Sequence, residues 1–199
     1  MKLSSSVTPV WGITGQIAAG KSTLAAMLVE SGGVNIEVDA VGHDLLNDSS
    51  VKAALAETFG AGILAPDGRI DRRTLGHRAF VDAETTQRLN TIMHAPMTAE
   101  VRRQTQKAIH NKERLVLVNA ALLYTMHLDE LCDLVIYVRA APDVRLDRIV
   151  TIRGMPLEAA KARLFAQDPP PAPGPRVIFC DNQGSLDDLR TWAQGIEPG

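Results

Sequence analysis

Apolar residues follow two rhythms along this chain. Short, nearly continuous runs rich in β-branched residues occur at "VTPVWGIT" (7–14), "VNIEV" (34–38), "RLVLVNA" (114–120), "LVIYVRA" (134–140) and "RVIFC" (176–180). Runs of this length and make-up predict strands, and the most continuous suit parallel strands covered on both faces. Pro9, lacking an N–H, confines the start of the first strand to an unpaired position. Between the runs the spacing lengthens to that of a helix. In "KSTLAAMLVES" it places Leu24, Met27 and Leu28 on one face, and Gly32 and Gly33 then end the helix.

Residues 41–59 and 72–110 read as mostly helical, parted by the turn "APDGRID" (65–71), and Pro96 is expected to kink or break the second stretch. Pro142 opens a helix over 142–154, and "PLEAAKARLFAQ" (156–167) gives another. "DPPPAPGP" (168–175) reads as a stiff extended linker, and Ser185 caps a closing helix over 185–194. The chain thus opens β–loop–α–β, which predicts a parallel pair with a right-handed crossover. Helices, then further β-α-β units, make it a doubly wound α/β fold with a helical insertion. The expected division is one domain over 1–199, with a core of about 1–40, 112–150 and 176–199. A helical insertion covers about 41–111 and a short lid about 151–175.

Composition narrows the function classes without choosing one. The chain has 199 residues, 45% of them hydrophobic and 22% charged, as in an ordinary globular protein. A net charge of −2 argues against broad nucleic-acid coating. "MKLSSSVTPVW" has no apolar core of a secretory signal, and no apolar run reaches membrane-spanning length. Cys132 and Cys180 form no C-x-x-C and suggest no disulfide framework, so both read as small buried residues. A cytoplasmic protein without nucleic-acid or membrane partners, monomeric or weakly self-associating, is the expectation.

The chemistry begins at "GITGQIAAGKSTLAAML" (12–28). Gly15 and Gly20 bracket four residues and precede Lys21 and Ser22, giving G-x-x-x-x-G-K-S/T. Glycines let the backbone from Gly15 through Gln16, Ile17, Ala18 and Ala19 to Gly20 aim N–H groups at a phosphate, and the following helix adds its positive end. Lys21 supplies a mobile charge for the β and γ phosphates, Ser22 a hydroxyl for Mg²⁺, and Thr23 a further nucleotide contact. Only four positions are fixed, so chance matches occur. Here a strand precedes the loop and a helix and second strand follow, which is the context a nucleotide loop requires.

Asp39 follows the second strand, at the sheet edge where ligands of open α/β sheets sit. A carboxylate there takes a proton from an attacking hydroxyl or holds metal-bound water; the bland alternative is a cap on the next helix. His43, four residues on, shares its face, either to meet an acceptor's phosphate or as a structural histidine. Glu37 alternates with Asp39 along the strand and offers a second polar contact.

Together these residues resemble the dephospho-CoA kinase family. Its G-K-S-T loop and its D-A-D-x-I-A-H motif appear as "GITGQIAAGKST" and "EVDAVGH". "GRIDRRTLGHRAF" (68–80), "LNTIMHAP" (89–96), "RLDRIVTIRG" (145–154), "ARLFAQ" (162–167) and "DNQGSLDDL" (181–189) resemble later family segments in order. The resemblance implies a P-loop NTPase-type fold, with a parallel sheet, helices on both faces, a helical acceptor-binding insertion and a short lid. It also implies transfer of the γ-phosphate of ATP, with Mg²⁺, to the ribose 3′-hydroxyl of dephospho-CoA. By the same resemblance Asp39 is the base, and Lys21 and Ser22 serve phosphate and magnesium. Arg148 lies near the transferring phosphoryl, Arg153 and Arg163 on the lid, and Asn182 near the adenine pocket. His43, His94 and Leu122 fall on the acceptor side.

Departures from the family pattern are local. "ALLYT" (121–125) stands where the family has P-L-L-F/V-E, so Ala121 replaces a proline and Thr125 an acidic residue. Glu37 replaces the first aspartate of the second motif, "HAP" replaces H-P, and "DPPPAPGP" replaces a lysine-bearing stretch. These changes leave open a kinase for another small acceptor, or a nucleotide-binding member without activity. A GTPase-like switch fits less well. "DAVG" (39–42) and "NKER" (111–114) mimic its motifs, but Arg114 stands where the guanine-reading carboxylate belongs. The basic face of "VRRQTQKAIHNKER" (101–114) reads as solvated surface or as an attractor for acceptor phosphates.

Overall fold

The computed structural model describes residues 8–30, 32–165, 171–172 and 174–196. It divides into two compact units, Met1–Ile36 with Thr105–Gly199, and Glu37–Gln104.

The first unit is built on a five-stranded sheet of β1 (Val10–Gly15), β2 (Val34–Glu37), β3 (Val116–Asn119), β4 (Leu134–Arg139) and β5 (Val177–Asp181), in the order β2-β3-β1-β4-β5. β1 runs parallel to both β3 and β4, and β4 parallel to β5. The two opening strands are therefore not partners, contrary to the expectation from β–loop–α–β: β3 lies between them. β3 is buried at all four positions, and so fits the slot between two neighbours that the less apolar β2 does not. Pro9 stands just before β1, where its carbonyl accepts from Val116 N at 3.0 Å and its missing N–H costs no ladder bond.

Two helices, α1 (Lys21–Val29) and a closing helix (Leu186–Gln194), pack on this sheet. Their buried residues Leu24, Leu28, Leu189 and Ala193 meet Trp11, Ile13, Leu117, Ile136 and Val138. Ser185 caps the closing helix in a full capping box with Asp188. At Gly12 a Cβ would lie 2.9 Å from Leu123 and 3.0 Å from the Cys132 sulfur, so the segment after β3 presses directly on β1.

The second unit is helical: α2 (Val38–Leu45), α3 (Ser49–Phe59), α4 (Arg72–Ala79) and most of α5 (Ala83–His110). Val51, Leu55 and Phe59, four residues apart on α3, form its core with Ile63, Leu75, Ala79 and Met93. Asp48 and Asp71 cap α3 and α4, each accepting from two backbone N–H groups. Between them 65–71 makes the expected turn, with Gly68 at φ 77° and Ala65 N bonded to Arg69 O at 2.8 Å.

Pro96 does not break its helix, for α5 runs unbroken from Ala83 to His110. Proline removes one N–H, and Met93 and Met97, packed into the core on either side, hold the turn. The basic face also ends early: Lys112 and Arg114 lie beyond the helix, and Arg103 is paired with Glu100 at 2.6 Å. The remaining helices are α6 (Pro142–Arg153), α7 (Leu157–Phe165) and the closing helix, hereafter α8. Of the proline-rich stretch, residues 168–170 and 173 lie outside the described residues. Its end is turned rather than extended, with Val177 N bonded to Gly174 O at 3.0 Å.

Candidate functional site

The loop after β1 is held from several sides. Gly15 has φ 136°, and a Cβ there would collide with the backbone of Val138 on the neighbouring strand, so only glycine fits. Gln16 N donates to Val138 O at 3.1 Å, and its side-chain oxygen accepts from Ala140 N at 3.4 Å. Ala18 takes a left-handed conformation (φ 57°), Ala19 is fully buried, and Gly20 (φ 100°) opens α1. No side chain caps that helix and its first turn carries no acidic residue, which leaves its positive end to an anion.

Lys21, half-buried, donates through Nζ to Gly15 O at 3.2 Å and to Gln16 O at 3.5 Å, folded back over its own loop. From α6, Arg148 reaches the same loop and donates through Nη1 to Ala18 O at 3.4 Å. After β5, Asn182 is buried and donates through Nδ2 to Ala19 O at 2.8 Å. The approach is close enough that a Cβ on Gly20 would strike the Asn182 amide.

A cavity of about 430 Å³ joins these groups, lined by Ala18, Gly20, Lys21, Ser22, Thr23, Arg148 and Asn182. Ile152, Gly184, Ser185, Leu186 and Leu189 form the rest of its lining. Its size suits a nucleotide-sized ligand. Its lining joins the cationic Lys21 and Arg148 and the end of α1 with the apolar Ile152, Leu186 and Leu189. Ile152 and Leu186 are 77% and 67% exposed, unusual for residues of their size, and each borders the cavity. Helical spacing puts Ile152 in line with the buried Arg145 and Ile149 of α6, and Leu186 in line with the buried Leu189 and Ala193 of α8, so periodicity alone predicts both to be covered. The detectable signal is their cost: an aliphatic side chain left in water beside a cavity suits a ligand with an apolar face.

The strand ends beside Asn182 are braced. Arg139 pairs with Asp181 through two hydrogen bonds of 2.5 and 3.0 Å, and its guanidinium sits 4.6 Å from the Phe179 ring centre. The Arg139 guanidinium holds the Asp181 carboxyl below its ordinary range. Arg145, buried in α6, donates to Ala140 O at 3.1 Å, and burial lowers its pKa. Burial likewise pushes the Cys180 thiol up to about 12, so it plays no nucleophilic part.

Among the other expected residues, Asp39 is exposed in the first turn of α2. It is not the cap: Glu37 holds that position, without a side-chain capping bond to the helix. The chain is already helical at Val38, so Glu37 and Asp39 do not alternate along one strand as expected. His43 is exposed on the same helix, its Nε2 2.6 Å from Arg72 Nη2. A guanidinium only donates, so Nε2 accepts and the ring proton sits on Nδ1. His94 is half-buried on α5. Leu122 is exposed in the turn after β3, next to Ala121, whose carbonyl accepts from the Thr14 hydroxyl at 3.3 Å. Arg163 is exposed on α7, and neither it nor Leu122 lines the cavity. Arg153 ends α6, and its side chain lies outside what the structure describes.

Among the described residues no three His, Cys, Asp or Glu side chains gather as a metal site, and no helix is long and apolar enough to cross a membrane. Ser22, exposed at the start of α1, is the hydroxyl at hand for a cation carried on phosphates.

Comparison with known proteins gives a consistent result. Residues 9–172 match the family model described as dephospho-CoA kinase. A dephospho-CoA kinase of Corynebacterium glutamicum is 35% identical over 187 residues, covering 93% of this chain and 94% of the relative. Another, of Symbiobacterium thermophilum, is 37% identical over 183 residues, covering 90% and 76%. Among solved structures, a Thermus thermophilus protein superposes with a TM-score of 0.74 at 25% identity, over 94% of this chain and 95% of that one. The Campylobacter jejuni dephospho-CoA kinase shares the fold, with a TM-score of 0.67 at 24% identity, over 94% of each chain.

Proposed function

Because the chain belongs to the dephospho-CoA kinase family, we propose that it transfers the γ-phosphoryl group of ATP to the ribose 3′-hydroxyl of dephospho-CoA. The products are CoA and ADP. The observation that carries this reading is the cavity in which the open end of α1, Lys21, Ser22 and Arg148 meet.

Phosphoryl transfer is mostly positioning and charge neutralisation. The backbone of residues 15–20 and the end of α1 bind the phosphates. Lys21 moves from the carbonyls of Gly15 and Gln16 to the β and γ oxygens, a short swing that exchanges neutral acceptors for anionic ones. Arg148 offers a second guanidinium charge to the transferring group. Ile152 and Leu186 cover the faces of the base. Ser22 would offer its hydroxyl to Mg²⁺, which would supply charge neutralisation to the triphosphate. Asp39 takes the proton of the 3′-hydroxyl as its oxygen bonds to the γ-phosphorus and the bond to ADP breaks. His43, His94 and Leu122 serve the acceptor, and Arg153 and Arg163 the closing lid.

The test is ADP release by the purified protein with ATP and Mg²⁺, with and without dephospho-CoA, the product being identified by mass. ADP formed only with dephospho-CoA, one for each CoA, supports the proposal. ATP binding without coupled turnover rejects dephospho-CoA as acceptor.

A further inference from the structure

We propose that Asn182 is a positioning residue for the phosphate-binding loop, not a reader of the nucleotide base. Asn182 follows β5, and its amide donates to Ala19 O at 2.8 Å across 163 residues of sequence. Ala19 is a carbonyl acceptor, so the side-chain orientation is fixed: the NH₂ group must face the loop. Both partners are buried, and little water competes for the bond. The backbone of Asn182 is fixed as well, its N–H donating to Arg139 O at 2.9 Å. The adjoining Asp181 is clamped by Arg139, which also lies over Phe179. The amide is thus a rigid strut from the sheet to the loop.

The loop needs such a strut. Ala18 at φ 57° and Gly20 at φ 100° flank Ala19, two conformations that an unsupported chain leaves readily. A phosphate is bound by N–H groups, and the loop can aim them inward only if its carbonyls are held elsewhere. Released from Asn182, the Ala19 carbonyl would be a negative dipole end free to turn toward an anion. Glycine at position 20 is also explained, since any Cβ would displace the amide. The other polar side chain at this end of the cavity, Ser185, is engaged with Asp188 in the cap of α8. Ile152, Leu186 and Leu189 give the same cavity its apolar groups.

The proposal rests on reading this cavity as the nucleotide site. Its test uses no acceptor, so it stands or falls separately from the assignment of dephospho-CoA. Wild type, Asn182→Asp and Asn182→Ala are titrated calorimetrically, with Mg²⁺, against ADP and against tripolyphosphate, which has no base. Loss of the strut is expected to weaken both ligands about tenfold and by the same factor, with the ligand-free Tm lowered by only several degrees. Weaker ADP binding with unchanged tripolyphosphate binding would make Asn182 a base reader and overturn the proposal. A lowered Tm with both affinities intact would make it merely structural, and would overturn it too. Should both variants fail to fold, the wild-type side-chain amide decides. Protection from hydrogen exchange without ligand, and a resonance shift on adding tripolyphosphate, are expected. Free exchange until an adenine nucleotide is added rejects the strut.

Discussion

Arg148 Nη1 lies 3.4 Å from the carbonyl oxygen of Ala18, tying the middle of α6 to the crown of the phosphate loop. The bond is long and its acceptor neutral, so the guanidinium is held near the loop yet is readily drawn to a phosphoryl oxygen. Removing it takes away charge that matters most as the phosphoryl group transfers. Arg148→Ala is expected to lower kcat by about a hundredfold or more with a smaller change in the KM for ATP. Arg148→Lys restores part of the rate, since a point charge replaces a planar fork. Steady-state kinetics check this; an unchanged kcat in Arg148→Ala removes the residue from the reaction.

Lys21 is bonded to two carbonyls of the loop that it serves. Those bonds are local and half-exposed, so Lys21→Ala is expected to shift Tm by only a few degrees. Nucleotide affinity and turnover should both fall, by about tenfold and a hundredfold, because the charge contacts both the bound and the transferring phosphates. Calorimetric titration with ADP and the coupled assay read the two effects. Normal affinity and rate would reject the loop assignment.

Asp39 is exposed in the first turn of α2 and makes no capping bond. Asp39→Asn therefore preserves the fold and removes a proton acceptor. Its kcat is expected to drop by about 10²–10⁴, with ATP affinity held within a few fold. Retained kcat would exclude Asp39 as the base.

Hydrogen bonds from Arg103 and then Gln104 bring the pKa of Glu100 from 4.5 down to about 2. A depressed folded-state value means a contribution present above about 4.5 and lost as pH falls through about 2. Arg103 is exposed and Glu100 partly so, and water screens the pair enough to keep its contribution small. Thermal melts should find Glu100→Gln slightly less stable than wild type at neutral pH and equal to it near pH 2. A constant gap across that range would show that the ion pair contributes nothing.

Local patterns carried much of this protein. The strand runs and the spacing of Gly15, Gly20, Lys21 and Ser22 are legible because each depends on neighbours a few residues away. Helix caps at Asp48, Asp71 and Ser185 belong to the same class, since a cap bonds within three residues of itself. The sequence pattern allowed a break at Pro96 that does not occur, because packing on both sides of it outweighs one lost hydrogen bond. It also paired β1 with β2, since adjacency in sequence is a weak guide once a more apolar strand competes for the central slot.

By itself the sequence determined which segments are strands, the glycine and lysine spacing of the loop proposed to hold phosphate, and the family to which the ordered motifs belong. Tertiary structure decided what surrounds the grip. Gly15 must be glycine because of Val138, Asn182 braces Ala19, and Ile152 and Leu186 stand exposed beside one cavity. Each of these follows from the register of parallel strands far apart in the chain. Register is set by the simultaneous burial of every strand, and so no single stretch of residues encodes it.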